Sequence, residues 1–323
     1  MTATASDNSL EPPSQKRRWL SQAGLPILIV AIAIVTGVIE PRFWSAANMQ
    51  NLVRSIAPLQ ILVAGQLFAV LSGGLDLSVA SVMAFAGVVG MIAMPHVGIA
   101  GGVAIMVLTG TVIGFVNGAI VVSFRVSPLI VTLGMLSIAK GLSLLLTGGL
   151  PMYDVPEDLV DTVGFGDVYG FPMSSMLAFA TMIVGAVILR KTVFGRHVYA
   201  VGSSANSARN SGVRVQRVTL LIYMISGTAA GIAAVVMTSW VSAAQPLAGE
   251  GLELQSLAAV VVGGVALAGG SGTMLQSFFG ALVLGLLSNA LNMAGVSSFL
   301  QTLVVGVVIL LAVIVDRLRA NKS

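Results

Sequence analysis

Few residues in this chain could do chemistry, and they stand among long apolar runs. Asp76 lies in Leu71-Ser72-Gly73-Gly74-Leu75-Asp76-Leu77-Ser78-Val79, between two such runs. A carboxylate there can cap a helix starting at Leu77, accepting bonds from its free N–H groups with Ser78 assisting. It can equally belong to a solute pathway or its gate, and the two roles are compatible. Proton relay is a third role for an acid in lipid, but no second acid lies within an apolar run to take up the proton. Lys140 falls inside Thr132–Thr147. An ammonium at that depth must snorkel, pair or face water. Gln60, Gln66, Asn117, Asn289 and Asn292 are the other larger polar side chains in the runs. They read either as hydrogen bonds between helices or as the lining of a path for a hydroxylated solute.

No catalytic or metal-binding set emerges from these residues. His96 and His197 are far apart, Cys is absent, and no Gly-x-x-x-x-Gly-Lys-Ser/Thr phosphate loop occurs. The chain is not expected to be an enzyme or to hold a cofactor of its own.

The elements that must position these residues follow from composition. Of 323 residues, 56% are hydrophobic and 9% charged, against about 25% charged in soluble proteins. Mean hydropathy is +0.99. So few charges cannot cover a soluble globule of this size, which excludes a soluble enzyme, a nucleic-acid binder and a disordered chain. The solvent for most of the chain is lipid. At about 20 apolar residues per crossing, ten spans are expected: 20–39, 57–73, 78–95, 97–123, 129–147, 172–189, 218–243, 254–270, 275–294 and 297–315. Residues 1–18 read as a flexible tail, 19–316 as the membrane domain and 317–323 as a second tail.

Charge orients the spans. Lys16, Arg17 and Arg18 precede the first, Arg317, Arg319 and Lys322 follow the last, and 190–217 holds six bases and no acid. The stretch 148–171 holds Asp154, Glu157, Asp158, Asp161 and Asp167 and no base. Cytoplasmic loops are enriched in Lys and Arg. Ten crossings put every basic stretch on one side, with both termini cytoplasmic and the acidic loop outside. Lys16–Arg18 read as an anchor for the first helix rather than as a signal. Five spans on either side of 148–171 would make an inverted repeat, a common transporter architecture. The paired glycines Gly73-Gly74, Gly263-Gly264 and Gly269-Gly270, with Gly272, read as helix breaks, the two breaks being alike in their small, flexible residues. An interrupted backbone in a membrane must be buried in protein or line a watery cavity. The other glycines are read as packing positions.

The basic stretch 190–217 carries more order than a topological signal needs. Ser203 or Ser204 can cap a short helix Ala205–Ser211 that Gly212 ends. Such a basic helix, projecting from the membrane, suits docking to another protein.

At these residues the chain resembles the permease subunits of bacterial ABC importers for ribose, xylose, arabinose and related monosaccharides. The resemblance runs from about Trp19 to Asp316. Its motifs occur in order: Gly73–Val79, Ser127-Pro128-Leu129-Ile130-Val131-Thr132-Leu133-Gly134, Lys140-Gly141, Thr147-Gly148-Gly149, Phe194-Gly195-Arg196, Tyr199-Ala200-Val201-Gly202, Ala208-Arg209-Asn210-Ser211-Gly212, Ala244-Gln245-Pro246, Gly249–Leu254 and Gly263–Thr273. Lys140 stands where many relatives have Arg, and Ala80 where Gly is usual. The resemblance implies an all-α permease in the bacterial inner membrane, paired with a second copy or a paralogue. A cytoplasmic ABC ATPase, holding ATP and Mg, would dock on Gly195, Arg196, Tyr199, Gly202, Ala208, Arg209, Ser211 and Gly212. A periplasmic sugar-binding protein would dock outside. Rival readings are an ion-coupled secondary transporter, which Asp76 would have to serve, a permease for branched-chain amino acids, and an intramembrane enzyme.

Overall fold

The computed structural model describes residues 15–320, almost all of them in helices. Most of the two expected tails, 1–14 and 321–323, lies outside the described residues. In chain order the helices are α1 (Gln15–Ile39), α2 (Ala46–Leu71), α3 (Val79–Phe124), α4 (Pro128–Thr147), α5 (Glu157–Leu159), α6 (Met173–Lys191), α7 (Val193–Ser203), α8 (Ala205–Asn210), α9 (Val215–Val241), α10 (Leu252–Val262), α11 (Met274–Met293) and α12 (Ser298–Ala320). The only paired strands among the described residues are two-residue pieces, Asp167–Val168 and Phe171–Pro172, in the acidic loop. Six helices are long and apolar enough to cross a bilayer, and α10 and parts of α1 and α12 are shorter apolar helices. The chain is an all-α membrane protein.

Local chemistry sets the helix ends. Ser45 caps α2 by accepting from the Asn48 N–H at 3.2 Å, and Thr273 caps α11 by accepting from Gln276 at 3.3 Å. Pro128 opens α4, and Gly148, with φ +61, closes it. α3 takes in two of the expected spans. Its run turns back at Gly98 (φ 74, ψ 172), three residues after Pro95. A Cβ on Gly90 would lie 2.9 Å from the Gly102 carbonyl and would also strike Met106, so the two arms lie against each other.

α2 is the axis of the bundle. Every residue from Ile56 to Leu71 is buried, with α6, α9, α10 and α11 packed around it. The largest helix contact is between α3 and α9. It rests on Gly110, Gly114 and Gly118, spaced four apart on the second arm of α3. A Cβ on Gly110 would strike the Gly227 carbonyl and come within 2.7 Å of the Gly231 amide; one on Gly114 would strike the Tyr223 carbonyl. In lipid, where burial of apolar groups does not drive helices together, such backbone contact is what holds them.

Several expected boundaries differ: α1 already starts at Gln15, and α12 runs on to Ala320. The span at 57–73 starts earlier, at Ala46, because the Ser45 cap is effective. The span at 254–270 does not form: α10 ends at Val262, giving about 16 Å of helix, half a bilayer. Before it lies the non-helical stretch 243–251, in which Ala243, Ala244 and Pro246 are buried. α10 ends because Gly264 takes the left-handed conformation (φ 91), with the Val265 N–H donating to the Val260 carbonyl at 3.2 Å; Gly263 packs against the Gln276 backbone, where a Cβ would clash.

Gly110→Ala or Gly227→Ala should force α3 and α9 apart and cost about 1–3 kcal/mol or more, seen as a lower melting temperature in detergent. Unchanged melting of both variants would show that this contact does not hold the bundle.

Candidate functional site

At one end of the bundle, two helix breaks and the basic stretch meet. Gly73 (φ 79) turns the chain after α2, and Gly264, Gly269 and Gly270 (φ 91, 85 and 75) shape the return from α10 to α11. Each is a left-handed position that glycine adopts without strain. Gly74 and Gly263 lie outside that region and are needed for close approach: a Cβ on Gly74 would be 2.6 Å from the Tyr223 hydroxyl. The breaks touch directly. The Gly270 N–H donates to the Leu71 carbonyl at 2.9 Å, and a Cβ on Gly269 would lie 2.7 Å from the Gly73 nitrogen.

The stretch 190–217 packs onto this junction. It contains the short helix expected from its caps and one more. In α7, the Thr192 hydroxyl accepts from the Gly195 N–H at 3.0 Å; in α8, Ser204 accepts from Ser207 at 3.2 Å, and Gly212 (φ 84) follows Ser211. α8 ends at Asn210 rather than Ser211. The Cα of Gly202 faces the Leu71 carbonyl so closely that any side chain there would collide with it, and the Gly202 site also abuts the Gly270 nitrogen. The Tyr199 hydroxyl donates to the Gly272 carbonyl at 2.8 Å. Burial pushes the Tyr199 phenol up, with nearby Arg190 pulling the other way, so it remains a neutral donor. Gly195 and Ala208 are buried, while Arg196, Arg209, Ser211 and Gly212 are exposed. Of the docking candidates, then, Gly195, Tyr199, Gly202 and Ala208 seat the two helices and the rest face solvent.

Asp76 sits just beyond the junction, 1% exposed. One carboxylate oxygen accepts from the Ser78 N–H at 3.0 Å and the Ser78 hydroxyl at 2.6 Å. The other accepts from the Ser226 hydroxyl of α9 at 2.7 Å. Asn117 donates to the Ser78 hydroxyl at 3.0 Å. The carboxylate thus ties the break to α9 and, through Ser78, to α3. The helix begins at Val79 rather than Leu77, with Ser78 in the capping position; the acid serves the N–H of that capping residue, two residues on.

The other polar candidates do not share this site. Gln60 and Gln66 are buried in α2, and neither amide atom of Gln66 meets a protein partner. Lys140 pairs with Glu250 at 2.7 Å, both partly exposed, beside Ser81, Pro246 and Glu253 in a small cleft. Asn289 exchanges amide hydrogen bonds with Asn48 at 3.1 and 3.3 Å. With Asn292 it lines a cavity of about 210 Å³ shared with Asn51, Gln255, Gln301 and Trp240.

Ser226 and Glu250, partners of Asp76 and Lys140, were not singled out from the sequence. A further signal was present there. Gly74-Leu75-Asp76-Leu77-Ser78 is matched by Gly251-Leu252-Glu253-Leu254-Gln255. The first lies between α2 and α3; the second follows α9 and runs into the first turn of α10. Glu253 accepts from the Gly251 N–H at 3.1 Å, two residues before it, whereas Asp76 accepts from the Ser78 N–H, two residues after it. The stretch 249–255 thus resembles the Asp76 break in sequence. Among the described residues, no group of three or more His, Asp or Glu side chains is placed to hold a metal ion.

Comparison with known proteins adds the following. The family described as branched-chain amino acid transport system / permease component matches residues 48–313. The chain is 37% identical to the ribose import permease protein RbsC of Escherichia coli over 309 residues, 93% of this chain and 95% of that one. It is 34% identical to the protein of the same name from Haemophilus influenzae over 314 residues, 95% and 96% of the two chains. To the L-arabinose transport system permease protein AraH of Escherichia coli it is 33% identical over 331 residues, 100% and 99% of the two.

Asp76→Ala strands three buried donors and should cost about 3 kcal/mol or more. Asp76→Asn keeps an acceptor for Ser78 and should cost less. Thermal unfolding in detergent ranks them, and an Asp76→Ala protein that melts like the wild type would remove the acid from the structure's support.

Proposed function

We propose that this chain, which belongs to the family of branched-chain amino acid transport system / permease components, is the membrane subunit of an ATP-driven importer of a monosaccharide or related polyol. The observation that carries the reading is identity of 33–37%, across nearly the full length, to permeases named for ribose and arabinose. Those relatives favour a sugar over a branched-chain amino acid as cargo. An ion-coupled transporter is disfavoured by the same relatives, and by the place of Asp76, whose carboxylate is occupied by three protein donors.

In this reading the chain crosses the inner membrane ten times: α1, α2, the two arms of α3, α4, α6, α9, α10 with the stretch before it, α11 and α12. Both termini then lie in the cytoplasm. Support for a five-plus-five inverted repeat comes from the paired Gly-Leu-acid-Leu segments after α2 and α9. One lies near the junction with 190–217; the other lies toward the end where Met152 pairs with Ala244.

The chain acts with a second permease copy or a paralogue, a cytoplasmic ATPase that holds ATP and Mg, and a periplasmic sugar-binding protein. The ATPase docks on α7 and α8, from Gly195 to Gly212. ATP binding draws the two docking elements of the pair together. Because Gly202 and Tyr199 bear on Leu71 and Gly270–Gly272, that motion passes to the ends of α2, α10 and α11, and the path between the permeases opens outward. The acidic loop 148–171, with exposed Tyr153, Tyr169 and Phe171, and the stretch Gln245–Glu253 receive the binding protein. Gln60, Gln66, Asn117, Asn289 and Asn292 are the candidates along the path, with Lys140 and Glu250 as a pair at its outer part. This chain performs no catalysis.

Arg196→Glu with Arg209→Glu should leave the protein in the membrane and abolish both co-purification with its ATPase and sugar uptake. Retention of the ATPase by the double variant would refute the docking assignment.

A further inference from the structure

Four arginines surround one cleft at the end of the bundle that carries α8. Arg125 comes from the end of α3, Arg209 from α8, and Arg214 and Arg217 from the start of α9; the cleft has a volume of about 710 Å³. No acid lines it. Among the described residues, none of the four is within ion-pair distance of a carboxylate. Arg214 stands at the capping position of α9 without a side-chain cap bond, and the first turn of that helix has no acid. The helix's own positive end therefore adds to the charge. Arg125 is held in the left-handed region (φ 54, ψ 36), a conformation that non-glycine residues avoid. Like charges gathered with nothing to balance them destabilise the fold by mutual repulsion unless an anion sits among them.

The floor of the cleft says which anion. Val121, Val122, Val213 and Val215 form it. The surface below it is apolar and open, with Phe124, Phe115, Val112 and Leu108 along α3 and Leu221 on α9 all exposed. A free anion has no use for such a surface. A phospholipid does: its phosphate can bridge the guanidiniums while its acyl chains lie on Phe124 and Leu221. Arginine forks suit phosphate oxygens, and basic pockets between membrane helices are suited to lipid headgroups. We infer that this cleft is a binding site for the phosphate of an anionic phospholipid from the leaflet on that side, which ties α3, α8 and α9 together beside the docking stretch.

The test uses the full chain purified in a mild detergent, with native mass spectrometry of the lipid retained after adding phosphatidylglycerol or phosphatidylcholine. The wild type should keep phosphatidylglycerol in preference to phosphatidylcholine, and high salt should erase the preference. Arg125→Gly with Arg217→Gln should weaken retention about thirty-fold, the effect of two basic residues near an anionic surface. Glycine suits the backbone at 125, so lipid-free melting of the variant should stay near that of the wild type. The wild-type preference stands as a test even if the variant misfolds. Equal retention of the two lipids overturns the proposal. So does inorganic phosphate that raises wild-type melting as much as phosphatidylglycerol does, which would indicate a site for free anions. A variant that keeps its lipid preference but loses the ATPase overturns it as well, since the arginines would then face a protein.

Discussion

The bond from the Gly270 N–H to the Leu71 carbonyl joins two places where the helices of this protein stop. In lipid an unpaired backbone group costs several kcal/mol, so a broken helix persists only where another piece of chain meets its open groups. Here each break supplies what the other lacks. The approach is close enough that Gly202, Gly269 and Gly270 leave no room for side chains between them. The core helix α2 ends at this junction, and α7 and α8 rest on it. A substitution that pushed the strands of the junction apart would disturb the end of α2, the start of α11 and the seat of the basic helices together.

The acid beyond the junction answers the same constraint with a side chain. The residues from Ser72 to Ser78 follow one buried helix and precede another, and Asp76 gathers donors from the turn and from α9. Glu253 performs the local part of this task after α9, at the N–H of Gly251. Similar sequence recurs because the problem recurs: a chain leaving a long buried helix must turn, satisfy its amides and start again. The stretch before α10 turns within the bundle, so Pro246 and Ala244 are buried where a surface loop would be exposed.

Much of this was legible from composition and spacing. Long apolar runs divided by bases and acids mark the helices, and Ser204 and Gly212 mark the small helix between them, because capping is a local property. What was not legible depended on partners far along the chain. Lys140 had to snorkel, pair or face water, and nothing local names its partner Glu250, 110 residues away. Hydropathy over 254–270 describes a full span; the chain instead turns at Gly264 and packs Gly263 on the Gln276 backbone. Gly110, Gly114 and Gly118 read as packing residues at sight, yet their facing partners on α9 follow only from the fold.

The polar candidates form three groups rather than one track: the Asp76–Asn117 network, the Lys140–Glu250 pair, and the cavity of Asn289 and Asn292. Within a single chain each group is accounted for mainly by its own hydrogen bonds. Gln66 differs, being fully buried with both amide atoms lacking a protein partner. A continuous path through one copy would need polar groups at every depth, and α2, the most central helix, offers only Gln60 and Gln66 along its buried length. That distribution supplies no continuous polar track within the single chain, which is why the proposed path lies between two permeases.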